Sequence, residues 1–357
     1  MRLSNNKFQL AVFGCNVSHG CTISSAPGGI AVTWEESLLL ARKADALGFE
    51  AFIPVCRWKG FGGPSEFNHR TFETFTWAAG LAQATENIHV FATVAVPAIH
   101  PVLAAKQAAT IDHISGGRFG LNVVAGWNSG EVAMFGKQQL PHAERYQYAD
   151  EWMQFIFDLW QKHGEFDFSS QYFDAPACYA EPKPLQQPRP PVMSAGVSPA
   201  GRAFAAKHAD MNFILAPTLE AVSETVNDIH GIARSNYSRE VDVWGNAAIF
   251  CRPTMQEAED YYRYVIDEAG DRVPQDRVGL VLRRPLGRLE TGLAAEDQPL
   301  IDQGPAEVRG DAPGVGDRRG SGRGVGRGGC GGLGSKAPGV VAQGCFSSDG
   351  DDGHQHR

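Results

Sequence analysis

PVLAAKQAATIDHISGGRFGLNVVAGWN, residues 101–128, decides the fold. Pro101 suits the first turn of a helix, where its missing N–H costs nothing, and the helical stretch runs to Ser115. RFGLNVVAG (118–126) then reads as an apolar strand that ends before Trp127. Upstream, IHVFATVAV (88–96) is continuously apolar, as a strand covered by helices on both faces should be. A buried strand, a crossover helix and a second buried strand make a parallel βαβ unit.

The same alternation extends in both directions. FQLAVFG (8–14) is a first strand, followed by a long loop and a helix that starts at Thr33, with Glu36 placed for a capping box. EAFIPVC (50–56) and the helix FETFTWAAGLAQAT (72–85) form the second unit. After the fourth strand come a long helix over 143–161 and an irregular, Pro-rich stretch over 163–191. PVMSAG (191–196), MNFILA (211–216) and VWGNAAIFC (243–251) are the fifth to seventh strands; helices follow from Pro199, Thr218 and Thr254. Successive βα units with short connections predict an α/β fold, and eight would close a TIM barrel. The eighth unit is missing from the pattern. An open doubly-wound sheet is the alternative, but no Gly-rich phosphate fingerprint follows the first strand.

The 357 residues divide unevenly. Residues 1–271 carry the βα pattern, and residues 272–357 lose it. Seventeen of the 41 glycines fall in the last 54 residues, so this tail buries too little apolar area to offset its ordering entropy and is expected to be disordered. Three readings stand for it: a Gly/Arg segment touching nucleic acid, an inert solvated tail, or out-of-frame translation of a GC-rich strand. Gly324, Gly326 and Gly329 satisfy G-x-G-x-x-G, but no strand precedes them, so a dinucleotide site is not inferred.

The whole chain is 43% hydrophobic and 20% charged, which excludes collagen-like, wholly disordered and small disulfide-scaffold proteins. A net charge of −8 argues against a polyanion binder, so no nucleic-acid partner is expected for the main body. Seven cysteines without a CxxC pair suggest neither a metal site nor a disulfide framework, and read as reduced thiols in a cytoplasm. No signal peptide and no apolar run of membrane-spanning length is seen, so no membrane partner is expected.

In a barrel the chemistry sits where the strands end. The ends supply Cys15, Asn16, Ser18 and His19; then Cys56, Arg57, Trp58 and Lys59; then Thr93, Asn122 and Trp127. Thr93 and Asn122 stand inside apolar strands, where a polar side chain must be paired or used. SAGVSPAGR (194–202) is a strand, a small-residue turn and a helix start, a backbone arrangement that can cradle a phosphate; Arg145 and Tyr146 could bond the same group. Paired carboxylates, a metal-ligand cluster and a Ser-His-Asp set are all lacking, which suits an enzyme whose cofactor carries the chemistry.

Four runs carry a family resemblance: RWKGFGGPSEF (57–67), AATIDHISGGRFGLNVVAGWN (108–128), ERYQYADEW (144–152) and SAGVSPAGRAFAAKHAD (194–210). They resemble the bacterial-luciferase-like flavin monooxygenases, and within them most closely the two-component pyrimidine oxygenases and dimethylsulfone monooxygenases. The resemblance covers Lys7 to Asp271 and implies a TIM barrel. It implies FMN as cofactor, used as FMNH2 from a separate NAD(P)H-dependent flavin reductase, with O2 as co-substrate and one oxygen atom added to a small organosulfur, N-heterocyclic or xenobiotic compound. It places the flavin contacts on Cys56, Arg57, Asn122, Glu131, Arg145, Tyr146 and Ser198. Thr93 and Asn122 match the catalytic pair that lines the oxygen pocket. Cys56 replaces an aliphatic residue and Arg57 a lysine. A homo-oligomer is expected. A deazaflavin-dependent oxidoreductase of the same superfamily and a non-catalytic flavin-binding relative remain as alternatives.

Overall fold

Eight strands close a barrel in the computed structural model, which describes residues 3–6, 8–215, 219–274 and 342–347. β1 (Leu10–Phe13), β2 (Ala51–Ile53), β3 (His89–Ala95) and β4 (Phe119–Val124) pair in parallel, each with the next. β5 (Phe166–Ser169) and β6 (Asp174–Cys178) form a separate antiparallel hairpin within the stretch expected to be irregular. β7 (Val192–Ser194), β8 (Met211–Ile214) and β9 (Asp242–Ile249) continue the parallel barrel from β4.

The eighth position is filled by β10 (Ala342–Ser347), antiparallel to both β9 and β1. Among the described residues there is no eighth βα unit, and β10 is the part of the expected tail beyond 274 that the structure describes. The facing edges of β1 and β9 each present a row of unpaired N–H and C=O groups. A short extended segment satisfies both rows at once, whichever way it runs. The remainder of the expected tail, 275–341 and 348–357, with its Gly324, Gly326 and Gly329, lies outside the described residues.

The helices follow the strands: α1 (Trp34–Ala46), α2 (Thr74–Ala84), α3 (Pro101–Ser115), α4 (Ser129–Met134), α5 (His142–Gln161), α6 (Pro199–His208), α7 (Leu219–Tyr237) and α8 (Met255–Arg263). Local chemistry sets their starts. The Thr33 hydroxyl accepts from the Glu36 amide, but the Glu36 carboxylate reaches past Thr33 to the amides of Ala31 and Val32. Only half of the expected capping box therefore forms at α1, whereas both halves form at Thr254. No helix among the described residues is long and apolar enough to cross a membrane.

Period-two alternation sorts the strand side chains. On β3, Val90, Ala92 and Val94 face the helices with Phe119, Leu121 and Val123 of β4. Phe91 points inward, and with Ala11, Ile53, Met193, Met211 and Trp244 it fills the barrel floor. Gly120 makes room for it: a Cβ there would lie 2.4 Å from the Phe91 ring. Further along the same inward faces come Thr93 and Asn122, so each strand runs from an apolar floor to a polar mouth.

Candidate active site

The mouth opens into a cavity of about 420 Å³, within the range of small-molecule sites. Its walls are largely apolar and carry several aromatic rings, among them Phe61, Phe67, Trp127, Phe135 and Phe213. Gly20, Cys21 and Ile23 bring the loop after β1 into the lining.

Thr93 and Asn122 are registered neighbours on β3 and β4. Asn122 Nδ2 donates to Thr93 Oγ1 at 3.1 Å, and the Thr93 hydroxyl donates to the Pro54 carbonyl. The hydroxyl proton is thereby committed to the backbone, so Thr93 holds Asn122 in place and has no proton of its own for a ligand. Asn122 Oδ1 is buried with no partner. It is an acceptor at the cavity wall.

Glu131 enters from α4, a short helix capped by Asn128, which accepts from the amides of Gly130 and Glu131. Its Oε1 accepts from Arg57 Nη1 at 3.1 Å, from the Trp58 amide at 2.8 Å and from the Lys59 amide at 3.2 Å. The carboxylate therefore folds the loop after β2 and fixes the guanidinium. Arg57 also lies 4.6 Å from the Phe61 ring centroid and 5.2 Å from that of Trp127, in cation–π range. The pair is almost wholly buried, at 8% and 9% side-chain exposure, so it is a fixed charge pair and not a surface one.

Cys56 lines the same wall. Burial pushes its thiol up to about 12, the Glu131 charge adds to this, and Arg57 opposes it. Cys21 is likewise pushed by burial to about 12. Both stay protonated at neutral pH and are poor nucleophiles.

Tyr146 reaches the cavity from α5, while Arg145 and Ser198 lie outside its lining. Arg145 is buried and donates to the Gly126 carbonyl at 3.3 Å. Ser198 caps α6, its hydroxyl accepting from the Gly201 amide at 3.1 Å. Gly196 and Gly201 press together at the turn between β7 and α6: a Cβ on Gly196 would lie 2.7 Å from Gly201 Cα and 2.9 Å from Tyr146 Oη. Only glycines allow this approach of the strand end, the helix start and the tyrosine hydroxyl. His19 is not part of the lining, and its imidazole pKa is lowered by burial, against the Glu66 charge.

Three positions were not singled out by sequence reading. Asn68 donates to the carbonyls of Ser18 and Gly20 and braces the loop after β1. Asp271 accepts from both the amide and the hydroxyl of Ser65, tying the segment after α8 to the loop after β2. Asn246 on β9 lines the cavity, and its only signal was its place two residues beyond Trp244 on the inward face. Among the described residues no group of His, Cys, Asp and Glu could hold a metal ion.

A mostly parallel barrel with an apolar cavity at its strand ends defines a barrel protein with a small-molecule site in its mouth. A family model described as luciferase-like monooxygenase matches residues 14–320, and the chain belongs to that family. It is 38% identical over 236 residues to pyrimidine monooxygenase RutA of Bradyrhizobium sp. (strain BTAi1 / ATCC BAA-1182), covering 62% of this chain and 65% of that one. It is 40% identical over 200 residues to the RutA of Stutzerimonas stutzeri (strain A1501), covering 55% of this chain and 54% of the relative. The chain thus spans between half and two thirds of the length of these curated relatives. Among solved structures, long-chain alkane monooxygenase LadA aligns with a TM-score of 0.66 at 21% identity, over 76% of this chain and 71% of LadA. DmoA from Hyphomicrobium sulfonivorans aligns at 0.64 and 22% identity, over 74% and 65%. Both share the fold.

Proposed function

We propose that the chain is the oxygenase component of a two-component flavin monooxygenase. It takes FMNH2 from a separate NAD(P)H-dependent reductase and transfers one atom of O2 to a small organic substrate, most suitably an N-heterocycle. The observation that carries the reading is the hydrogen-bonded series Asn122–Thr93–Pro54 in the wall of an apolar cavity at the barrel mouth. The relatives named pyrimidine monooxygenase support the choice of substrate class.

The residues present fit FMN. Gly196 and Tyr146 line the cavity at the turn into α6, whose start would take the phosphate. Cys56, Arg57 and Asn122 would border the ring, with Glu131 keeping Arg57 in place. Reduced flavin, when bound, supplies the electrons that activate O2. The chain's own residues then have three tasks. The apolar walls exclude water, the Asn122 amide orients what lies against it, and the fixed Arg57 charge favours electron density on the neighbouring ring. None of these needs a side-chain nucleophile, in keeping with the protonated thiols.

The described cysteines are free, which suits a reducing, cytoplasmic compartment, and a homo-oligomer belongs to the same reading. The test is an anaerobic titration of the full chain with FMNH2, followed by 18O2 and uracil or thymine. Saturable binding and one 18O atom per product are expected. Turnover without label would make the chain a dehydrogenase, and absence of FMNH2 binding would overturn the reading.

A further inference from the structure

β9 carries two inward-facing polar side chains that the reading above does not use. Trp244 and Asn246 are two residues apart and so share a face. Trp244 is fully buried on the barrel floor with Met193, Met211 and Phe213. Asn246 stands one step nearer the mouth and lines the cavity. Its Oδ1 is buried and makes no hydrogen bond, and Trp244 Nε1 makes none either. Two other amides of the lining are tied to the protein: Asn68 donates to the carbonyls of Ser18 and Gly20, and Asn122 donates to Thr93, with its own Oδ1 left unpaired.

A buried amide oxygen without a partner at a cavity wall, on a side chain that makes no other bond to the protein, calls for a partner. We propose that Asn246 reads the ligand: its amide pairs with a cyclic-amide edge, an N–H beside a C=O, on a ring held in the cavity. A carboxamide presents one acceptor and one donor in a single plane, and such an edge presents the complement. Within the proposed function two rings carry this edge, the pyrimidine portion of the flavin and a pyrimidine-like substrate. Asn246 stands on β9, across the barrel from the Asn122–Thr93 pair on β3 and β4, so a ring between them is gripped from two sides. The inference rests on the flavin-binding reading of the cavity.

The test compares uracil with 1,3-dimethyluracil, whose N–H groups are capped, by titration calorimetry on the FMN-loaded full chain. FMN affinity is measured in parallel by flavin fluorescence. The wild type is expected to prefer uracil about tenfold, the ratio that one good hydrogen bond provides. If the partner is substrate, Asn246→Leu and Asn246→Ala both erase the preference and leave FMN affinity unchanged. If the partner is the flavin, both variants weaken FMN about tenfold and keep the preference. The alanine variant separates a lost hydrogen bond from a blocked cavity. Unchanged FMN affinity together with an unchanged uracil preference, in variants that melt like the wild type, overturns the proposal and leaves the flavin reading intact. A wild type that binds neither FMN nor, under anaerobic conditions, FMNH2 overturns the flavin reading instead.

Discussion

The two sides of the cavity are built differently. On the side of β2, β3 and β4, Arg57, Glu131, Thr93 and Asn122 each make at least one side-chain hydrogen bond, and Glu131 alone collects three. On the side of β9, Trp244 and Asn246 make none. The first wall is tied together by the protein's own bonds, with Asn122 Oδ1 left unpaired, and the second has no such bonds at these two side chains. The largest consequence should appear at Glu131. Removing one partner of a buried pair strands the other charge, so Glu131→Ala should cost about 3–5 kcal/mol in urea unfolding. FMN affinity should fall with it, because Arg57 and the loop after β2 lose their anchor. A cost below about 1 kcal/mol would mean that this wall is no better organised than the other.

Thr93→Val tests the same wall with less disruption. The change keeps the shape but removes the hydroxyl that joins Asn122 to Pro54. A buried carbonyl and a buried amide then lose their partner, and a cost of about 1–3 kcal/mol is expected. Because Asn122 loses its orientation, oxygen incorporation should fall more than FMN affinity, as 18O transfer and fluorescence titration would report. Equal falls would reduce Thr93 to a structural residue.

Asp271 joins the two sides. It follows α8, which leads away from β9, and its carboxylate accepts from Ser65 in the loop after β2. Burial alone would raise its pKa, but the Ser65 hydroxyl and amide and the Val273 amide outweigh burial and hold it below the ordinary carboxylate value. A depressed carboxylate stabilises the fold above its unfolded pKa, and that contribution is lost as pH falls through the folded one. Urea midpoints should therefore decline on acidification below the ordinary aspartate value, and decline less in Asp271→Asn. The effect should be smaller than that of Thr93→Val, since a single clasp is involved. Identical acid profiles would show that this clasp carries no load.

Much of this was legible because the relevant signals are local. Each parallel strand of the barrel could be read from apolar runs and helix starts, and Thr93 and Asn122 stood out as polar residues in such runs. What escaped notice depends on partners distant in the chain. Ser65 and Asp271 are far apart in sequence, and nothing near either residue announces their contact. Ser198 is expected among the flavin contacts from the resemblance, and its role as the cap of α6 emerges only from the structure. β10 could not be foreseen, because AQGCFS lacks the β-branched residues that mark a strand, and its pairing is set by the open edges of β1 and β9. Asn246 was hidden for the opposite reason: its meaning lies in a partner it does not have.

The smallest expected effect separates the walls most cleanly. In the ligand-free protein, Asn122→Leu removes the donor that Thr93 Oγ1 accepts from, and should cost about 1–3 kcal/mol. Asn246→Leu removes an amide oxygen that has no partner to lose. Replacing such a group by an apolar one of similar size is nearly neutral or slightly stabilising, so a change within about 0.5 kcal/mol is expected. Urea midpoints of the two variants without flavin measure the difference directly. If Asn246→Leu costs as much as Asn122→Leu, the β9 amide is already satisfied in the free protein. The two walls are then equivalent, and a ligand has nothing to complete on that side. If the cost is absent without flavin and appears once the cavity is filled, the β9 wall is finished only by what binds there.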